Sequence, residues 1–299
     1  LIFVTGAGGY IGGAVLRACA EAGLPALGGV RRPAAAPDGL SYVVTGDLAQ
    51  ARLALEGVEA VVHAAGLGHK RGVPAAAWQA RNVDAAVHVA RQARAAGVAK
   101  FVLVSTAHVH GRVAAGVVTD STPANPMDEY AASKLRAEAA VAEVFGAGLT
   151  ILRPVAVVGP HCPGNLQLLM RFLRRRVPLP LGSIHNRRSF IEAGDLARLV
   201  LAVLAAPAPA VVLAANPETI GTPALIRALA AGMGVKPLLA PCPPGLLAAG
   251  AALLGRAAMW QSLAGDFVAD PAAARALGWR PRDALSEALA KTGRAFVVT

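Results

Sequence analysis

Thr5-Gly6-Ala7-Gly8-Gly9-Tyr10-Ile11-Gly12-Gly13 is the stretch that decides the fold. The apolar run Leu1-Ile2-Phe3-Val4 ahead of it reads as a buried strand, and the apolar-periodic residues 14–22 behind it read as a helix. Strand, glycine turn and helix in that order form the context of a dinucleotide-binding fingerprint. Gly6 permits the tight turn, Gly9 lets the backbone approach a pyrophosphate, and Gly12 lets helix and strand pack closely. The N–H groups at the helix start, around Tyr10 and Ile11, then face the phosphates. The spacing is Gly6-x-x-Gly9-x-x-Gly12 rather than G-x-G-x-x-G.

Outward from this turn, residues 26–30 read as a second strand ending at Arg31-Arg32, with Pro33 breaking the chain. An enzyme using NAD needs an acid there to hold the ribose 2′-hydroxyl. Two guanidinium groups suit a 2′-phosphate instead, so NADP is favoured over NAD. A short strand at 41–44 leads to Asp47-Leu48, where Asp47 serves either the adenine edge or the cap of a following helix. A fourth strand at 60–63 runs into Ala64-Ala65-Gly66, small residues that let the backbone pass close to a cofactor. His63 reads as a structural strand-end residue rather than a catalyst. A long helix is expected over 78–96, then a fifth strand over 100–105 running into Thr106.

Tyr130 and Lys134 lie four apart, so on a helix they share a face. An ammonium beside a phenol favours phenolate and is expected to lower the Tyr pKa from about 10. Thr106 supplies a hydroxyl for the same carbonyl oxygen. A sixth strand covers 149–154 and ends at Pro154. Strands alternating with helices imply an α/β fold, a Rossmann-type doubly wound parallel sheet with a smaller C-terminal substrate-binding lobe. The dinucleotide-binding domain is expected over residues 1–160, with a contribution from about 187–216. The lobe takes 161–186 and 217–299. A helix starting near Asp195, with Asp195 as its N-cap, precedes a late strand at 210–214. Final helices are expected from about 222, 244, 271 and 282.

Composition bounds the function. The 299 residues are 55% hydrophobic and 16% charged, enough for a sizeable core. The net charge is +11, and only five of the 29 basic residues are Lys. The arginines are scattered and aromatics make up 4%, which argues against a nucleic-acid partner. The charge reads as an Ala/Arg composition bias, compatible with a field that favours phosphorylated ligands. Cys19, Cys162 and Cys242 are far apart and show no C-x-x-C, so neither a disulfide framework nor a metal site is indicated. The uncharged run 237–255 is interrupted by prolines and too short to span a bilayer, so it reads as a buried or groove-lining helix. No membrane partner is expected. The chain opens on its first strand without a signal peptide, and a cytoplasmic location is expected.

Thr5-Gly6-x-x-Gly9-x-x-Gly12, His63-Ala64-Ala65-Gly66, Ser105-Thr106, Tyr130-x-x-x-Lys134, Leu152-Arg153-Pro154 and Gly159-Pro160 come in the order seen in the extended short-chain dehydrogenases. The chain resembles the nucleotide-sugar epimerase, dehydratase and reductase group among them. Arg188-Ser189-Phe190-Ile191 with Asp195-Leu196-Ala197 looks like the group's substrate-lobe motif. Residues 178–182, 186–190 and 277–281 are similar to those of the polysaccharide-cluster UDP-2-acetamido-2,6-dideoxy-hexulose 4-reductases. Two positions depart from the pattern: His110 stands where Tyr is usual, and Glu192-Ala193-Gly194-Asp195 replaces His-Val-Asp-Asp.

The resemblance implies an enzyme in which NADPH reduces C4 of a UDP-4-keto-6-deoxy-hexosamine, a precursor for surface polysaccharide. It implies Tyr130 as the general acid, Thr106 as a hydrogen-bonding partner of the same oxygen, and Lys134 as the group that tunes Tyr130 and holds the nicotinamide ribose. Asn165 and Arg188 are implied as UDP contacts, Arg188 on the diphosphate. A homodimer is implied through the helices around 78–96 and 127–145. An NAD-dependent UDP-hexose 4-epimerase uses the same groups with permanently held NAD and stays open. So does a non-catalytic dinucleotide sensor, against which the intact Thr106, Tyr130 and Lys134 argue.

Overall fold

The computed structural model describes residues 1–68 and 72–298. In chain order its elements are β1 (Ile2–Thr5), α1 (Tyr10–Glu21), β2 (Ala26–Val30), β3 (Tyr42–Val44), β4 (Ala60–His63), α2 (Ala75–Trp78), a π-helical turn (Gln79–Asp84), α3 (Ala85–Ala95) and β5 (Lys100–Val104). A 3₁₀ turn (Ala107–His110) leads to β6 (Val117–Val118), α4 (Glu129–Phe145), β7 (Leu149–Pro154), β8 (Ala156–Val158), α5 (Asn165–Arg174), β9 (Arg188–Glu192), α6 (Ala193–Ala205) and β10 (Val211–Ala214). The remainder is β11 (Thr219–Ile220), α7 (Thr222–Gly232), α8 (Pro244–Leu253), α9 (Ala257–Ala264), β12 (Val268–Ala269), α10 (Ala272–Ala276) and α11 (Leu285–Val298).

Seven strands form one parallel sheet in the order β10-β7-β5-β4-β1-β2-β3. Its strands alternate period-two between two faces. Val4, Val62, Val102 and Val104 point to the face covered by α1 and α6. Phe3, Val61, Phe101 and Leu103 point to the opposite face, where Val89 of α3 and Val141 of α4 pack. Both faces are thus buried, as a parallel sheet requires. Chain direction across the sheet reverses at β1, which has β2 on one side and β4 on the other. That is the switch point, outside whose strand ends ligands bind in doubly wound sheets. A third cluster, including Met170, Leu173, Phe190, Ile226, Leu229 and Leu289, forms the core beyond the sheet.

Several expectations are corrected. The helix expected over 78–96 starts at Ala75 and carries the π-helical turn in its first half. The N-cap of α6 is Glu192, whose carboxylate accepts from Gly194 N at 2.6 Å and Asp195 N at 3.0 Å. Asp195 lies inside the first turn, buried and paired with Arg198. Asp47 caps no helix: its carboxylate accepts from Ala49 N at 3.1 Å in an Asx turn. Beyond Pro154, where no element was assigned, the chain forms β8, which pairs in parallel with β9 in a three-stranded sheet. The segment read as a buried or groove-lining helix is α8, which contains no buried residue, and α9 follows it where no helix was expected.

Candidate active site

The site assembles at the switch point. After β1 the chain turns at Gly6, whose φ of +69° is a left-handed conformation that glycine adopts freely. A Cβ on Gly6 would stand 2.7 Å from Ala65 N, so the loops after β1 and β4 are in backbone contact. A Cβ on Gly12 would stand 2.3 Å from Gly6 O, so α1 rests directly on the turn. Gly8 and Gly9 stay exposed, with Gly9 at the N-cap of α1 and Tyr10 and Ile11 opening it. The Tyr10 hydroxyl is buried without a hydrogen-bond partner among the described residues and faces Gly159. Thr5 Oγ1 lies 3.0 Å from His63 Nδ1 and accepts from Ala65 N at 3.4 Å, which ties the two strand ends together. Burial, and secondarily the charge of Lys134, pull the His63 pKa down to about 3, so the ring is a neutral strut. Arg31 and Arg32 leave β2 side by side, both exposed. Asp47 is exposed, and Leu48 packs at the edge of the Phe3 cluster.

The second half of the site comes from β5 and α4. Asp128 caps α4 by accepting from Ala131 N at 2.8 Å, which fixes Tyr130 in the first turn. Thr106 caps the 3₁₀ turn, accepting from His108 N at 3.2 Å, and its hydroxyl hydrogen-bonds the Tyr130 phenol. The Tyr130 ring lies 5.8 Å from Trp78 and edge-on to His108 at 6.4 Å. Lys134 Nζ is buried and donates to Val104 O at 2.7 Å. The expected depression of the Tyr130 pKa is corrected: burial raises it, Asp128 raises it further, and the hydrogen bond from Thr106 lowers it. Lys134 itself is pulled down to about 8 by burial, against the opposing pull of Glu138.

Six residues that carried no assigned role complete the arrangement. Asn82, turned inward by the π-helical turn, accepts from Leu67 N at 2.7 Å and donates to Ser133 Oγ at 2.9 Å. It thereby clamps the loop after β4 to α4, and a Cβ on Gly66 would stand 2.9 Å from Asn82 Oδ1 and 3.8 Å from Lys134 Nζ. Beneath Lys134, the Glu138 carboxylate accepts from Ser105 Oγ and takes the Arg153 guanidinium, with Arg153 Nη2 at 2.5 Å. Arg153 Nη1 lies 3.2 Å from His110 Nε2, and His110 Nδ1 lies 3.2 Å from Pro123 O. Pro154, next in the strand, is buried against β10. The sequence signal for Glu138 was its place one turn after Lys134 on the Tyr130 face.

On the far side, Arg188 is half-buried at the start of β9 and donates to Gly265 O at 2.8 Å and Arg112 O at 3.4 Å. Arg112 pairs with Asp128, so Arg188 is linked to the N-terminus of α4. Burial lowers its pKa, and Asp266 raises it. Asn165, at the exposed start of α5, makes no side-chain hydrogen bond among the described residues and is not drawn into this cluster.

Residues 2–214 match the NAD dependent epimerase/dehydratase family. The chain belongs to this family. It is an enzyme of the extended short-chain dehydrogenase/reductase type, as the order of its motifs implies. It is 29% identical to a UDP-glucose 4-epimerase of Vibrio cholerae over 99% of this chain and 95% of that protein. It is 34% identical to a ceramide reductase of Caulobacter vibrioides over 80% of this chain and 72% of that protein. The fold is shared with a solved UDP-galactose 4-epimerase (TM-score 0.77, 21% identity, 98% of this chain and 97% of that one). It is shared equally with MoeE5 in complex with UDP-glucose and NAD (TM-score 0.78, 24% identity, 98% and 97%).

Proposed function

We propose that the protein is an NADP(H)-dependent reductase of a nucleotide sugar, acting on the C4 ketone of a UDP-4-keto-6-deoxy-hexosamine. The observation that carries the cofactor assignment is the exposed Arg31-Arg32 pair where β2 ends, in the place of a ribose-binding acid. The cradle fits a dinucleotide. Gly6 and Gly12 leave no volume for a Cβ, and Gly8, Gly9 and Gly66 lie open to solvent. The backbone N–H groups at Tyr10 and Ile11 would meet the pyrophosphate, and the loop Ala64-Ala65-Gly66, with Pro154, would flank the nicotinamide end. Asp47 and Leu48 would meet the adenine. The bound dinucleotide supplies the hydride.

The chain's own residues handle the proton. Tyr130 gives its phenolic proton to the carbonyl oxygen as that oxygen takes up charge. Burial keeps the phenol protonated in the resting protein, the form an acid needs. The Thr106 hydroxyl, bonded to the phenol in the resting protein, has one proton to donate and would turn it to the substrate oxygen as charge develops there. Lys134 contributes positive charge one turn below and would hold the nicotinamide ribose. Arg188 would take the diphosphate, and Asn165 the nucleotide.

A second reading is supported by the nearly full-length similarity to a UDP-glucose 4-epimerase: reversible oxidation at C4 with retained NAD. Two measurements separate them. Replacing Arg31→Asp together with Arg32→Ala is expected to move preference from NADPH to NADH by about tenfold, equivalent to about 1.4 kcal/mol. Incubation with a UDP-4-keto-6-deoxy-hexosamine is expected to consume one NADPH per sugar. Interconversion of UDP-hexoses with tightly held NAD and no NADPH consumption would establish the epimerase instead.

A further inference from the structure

The helical hairpin of α8 and α9 raises a problem of packing. Neither helix buries a residue, yet residues 237–255 contain no charge. Leu246, Leu253 and Leu254 are 68%, 89% and 75% exposed. A helix apolar all round belongs in a core or in lipid. The hairpin is not loosely attached. At its entry Ala240 N donates to Leu179 O at 3.0 Å and Gly182 N to Ala240 O at 3.0 Å. At its exit Leu263 O accepts from Asn186 Nδ2 at 3.0 Å and from Thr222 Oγ1 at 2.6 Å. Its ends are fixed and its middle is offered to solvent.

The apolar surface continues next door. Leu179 N donates to Leu238 O at 2.8 Å, which sets exposed Val177 and Leu238 on adjacent segments, and α5 exposes Leu168 and Phe172 just before them. Interleaved with these are Arg171, Arg174, Arg175, Arg176 and Lys236, with Arg256 between the two helices, all exposed. None of the six forms an ion pair among the described residues. Residues 161–186 and 233–265 contain those six cations and not one Asp or Glu.

We propose that this face rests on an anionic lipid bilayer, with the leucines of the hairpin in the headgroup–acyl boundary and the arginines on lipid phosphates. Exposed leucines with unpaired cations are the two signals that a surface-bound protein combines. No helix of the described residues is long and apolar enough to cross a membrane, so the association lies in the plane of the interface. The expectation of no membrane partner rested on span length and does not bear on this geometry. A second copy is a poor occupant. A two-fold interface would set the cations against themselves with no carboxylate to pair them. RNA would leave the leucines stranded in water. The patch runs into the substrate side of the site, since Gly265, which ends the hairpin, accepts from Arg188.

The test is co-sedimentation of the purified full chain with vesicles of phosphatidylcholine alone and of phosphatidylcholine mixed with phosphatidylglycerol, at physiological salt. Binding is expected only to the mixed vesicles. Each cation near such a surface is worth about fivefold in partitioning, so Arg171→Glu with Arg175→Glu should weaken binding at least about 20-fold. Leu253→Asp with Leu254→Asp should abolish it. All four side chains are exposed, so both variants should keep the parent's thermal midpoint, which is measured alongside. Absence of binding to mixed vesicles overturns the proposal, as does binding that both variants retain. A dimer that dissociates in Leu253→Asp with Leu254→Asp, without vesicle binding, would assign the face to a second copy instead.

Discussion

Replacing Lys134→Met tests how the buried cation is carried. Lys134 is 7% exposed, and burial lowers its pKa from 10.5 to about 8. The unfolded chain holds this proton up to about pH 10.5, whereas the folded chain releases it near pH 8. Between those values the unfolded state binds more protons, so the parent gains stability as pH rises through the window. A gap of two to three units at 1.36 kcal/mol each makes the folded ammonium cost about 3 kcal/mol at pH 7. The Met variant never carries that cost, but it leaves the Val104 carbonyl unpaired, at about 1–3 kcal/mol. At pH 7 the two proteins should therefore be of similar stability, or the variant slightly the more stable. By pH 10 the parent should have gained about 2–3 kcal/mol on the variant. Urea unfolding of both at pH 7, 8, 9 and 10 measures this difference, and titrations common to both chains cancel in it. A stability difference that stays flat over that range would refute the reasoning.

Tyr130→Phe should keep the fold and dinucleotide binding while turnover falls by about 10²–10⁴-fold, the usual worth of a general acid; near-parent turnover would remove Tyr130 from the mechanism. Arg188→Ala should raise KM for a UDP-sugar more than it lowers kcat, because a diphosphate remote from C4 is bound alike in ground and transition states. UDP affinity equal to the parent's, by calorimetry, would contradict that contact. Arg153→Met should destabilise the chain by about 3–5 kcal/mol in urea unfolding, since it strands the buried Glu138 carboxylate.

Much of the sheet was legible because its signals are local. Strands β2, β4 and β7 fall where apolar runs and flanking glycines placed them, since buried parallel strands need continuous apolar residues. The Gly6 turn and the Tyr130–Lys134 face follow from backbone sterics and helix periodicity in the same way. Glu192 as the cap of α6 was missed because Asp195 looks the better cap, and only the folded chain shows Asp195 buried against Arg198. The π-helical turn was missed for a related reason: one widened turn leaves hydrophobic periodicity almost intact while redirecting Asn82 into the site. The 237–255 segment misled because apolarity reports a preference for a non-aqueous neighbour and not what that neighbour is.

The Tyr130 pKa shows where local reasoning stops. Helix spacing puts Lys134 one turn from Tyr130, and from that alone the phenol should ionise more easily. In the fold, desolvation of the ring wins, and Lys134 Nζ is bonded to Val104 O. The same spacing puts Glu138 one turn further on, where it opposes the burial of Lys134 and is itself held by Ser105 and Arg153. Tyr130, Lys134 and Glu138 thus form a line of alternating demand along α4: a phenol that stays protonated, an ammonium brought close to neutrality, and a carboxylate locked in place. His110 extends the line through Arg153 to the Pro123 carbonyl, which lies on the loop leading into α4. Because burial holds the phenol neutral before substrate arrives, ionisation of Tyr130 has to be coupled to proton delivery. The Thr106 hydrogen bond favours the ionised phenol while burial and Asp128 oppose it, so the proton leaves only as the substrate oxygen takes it.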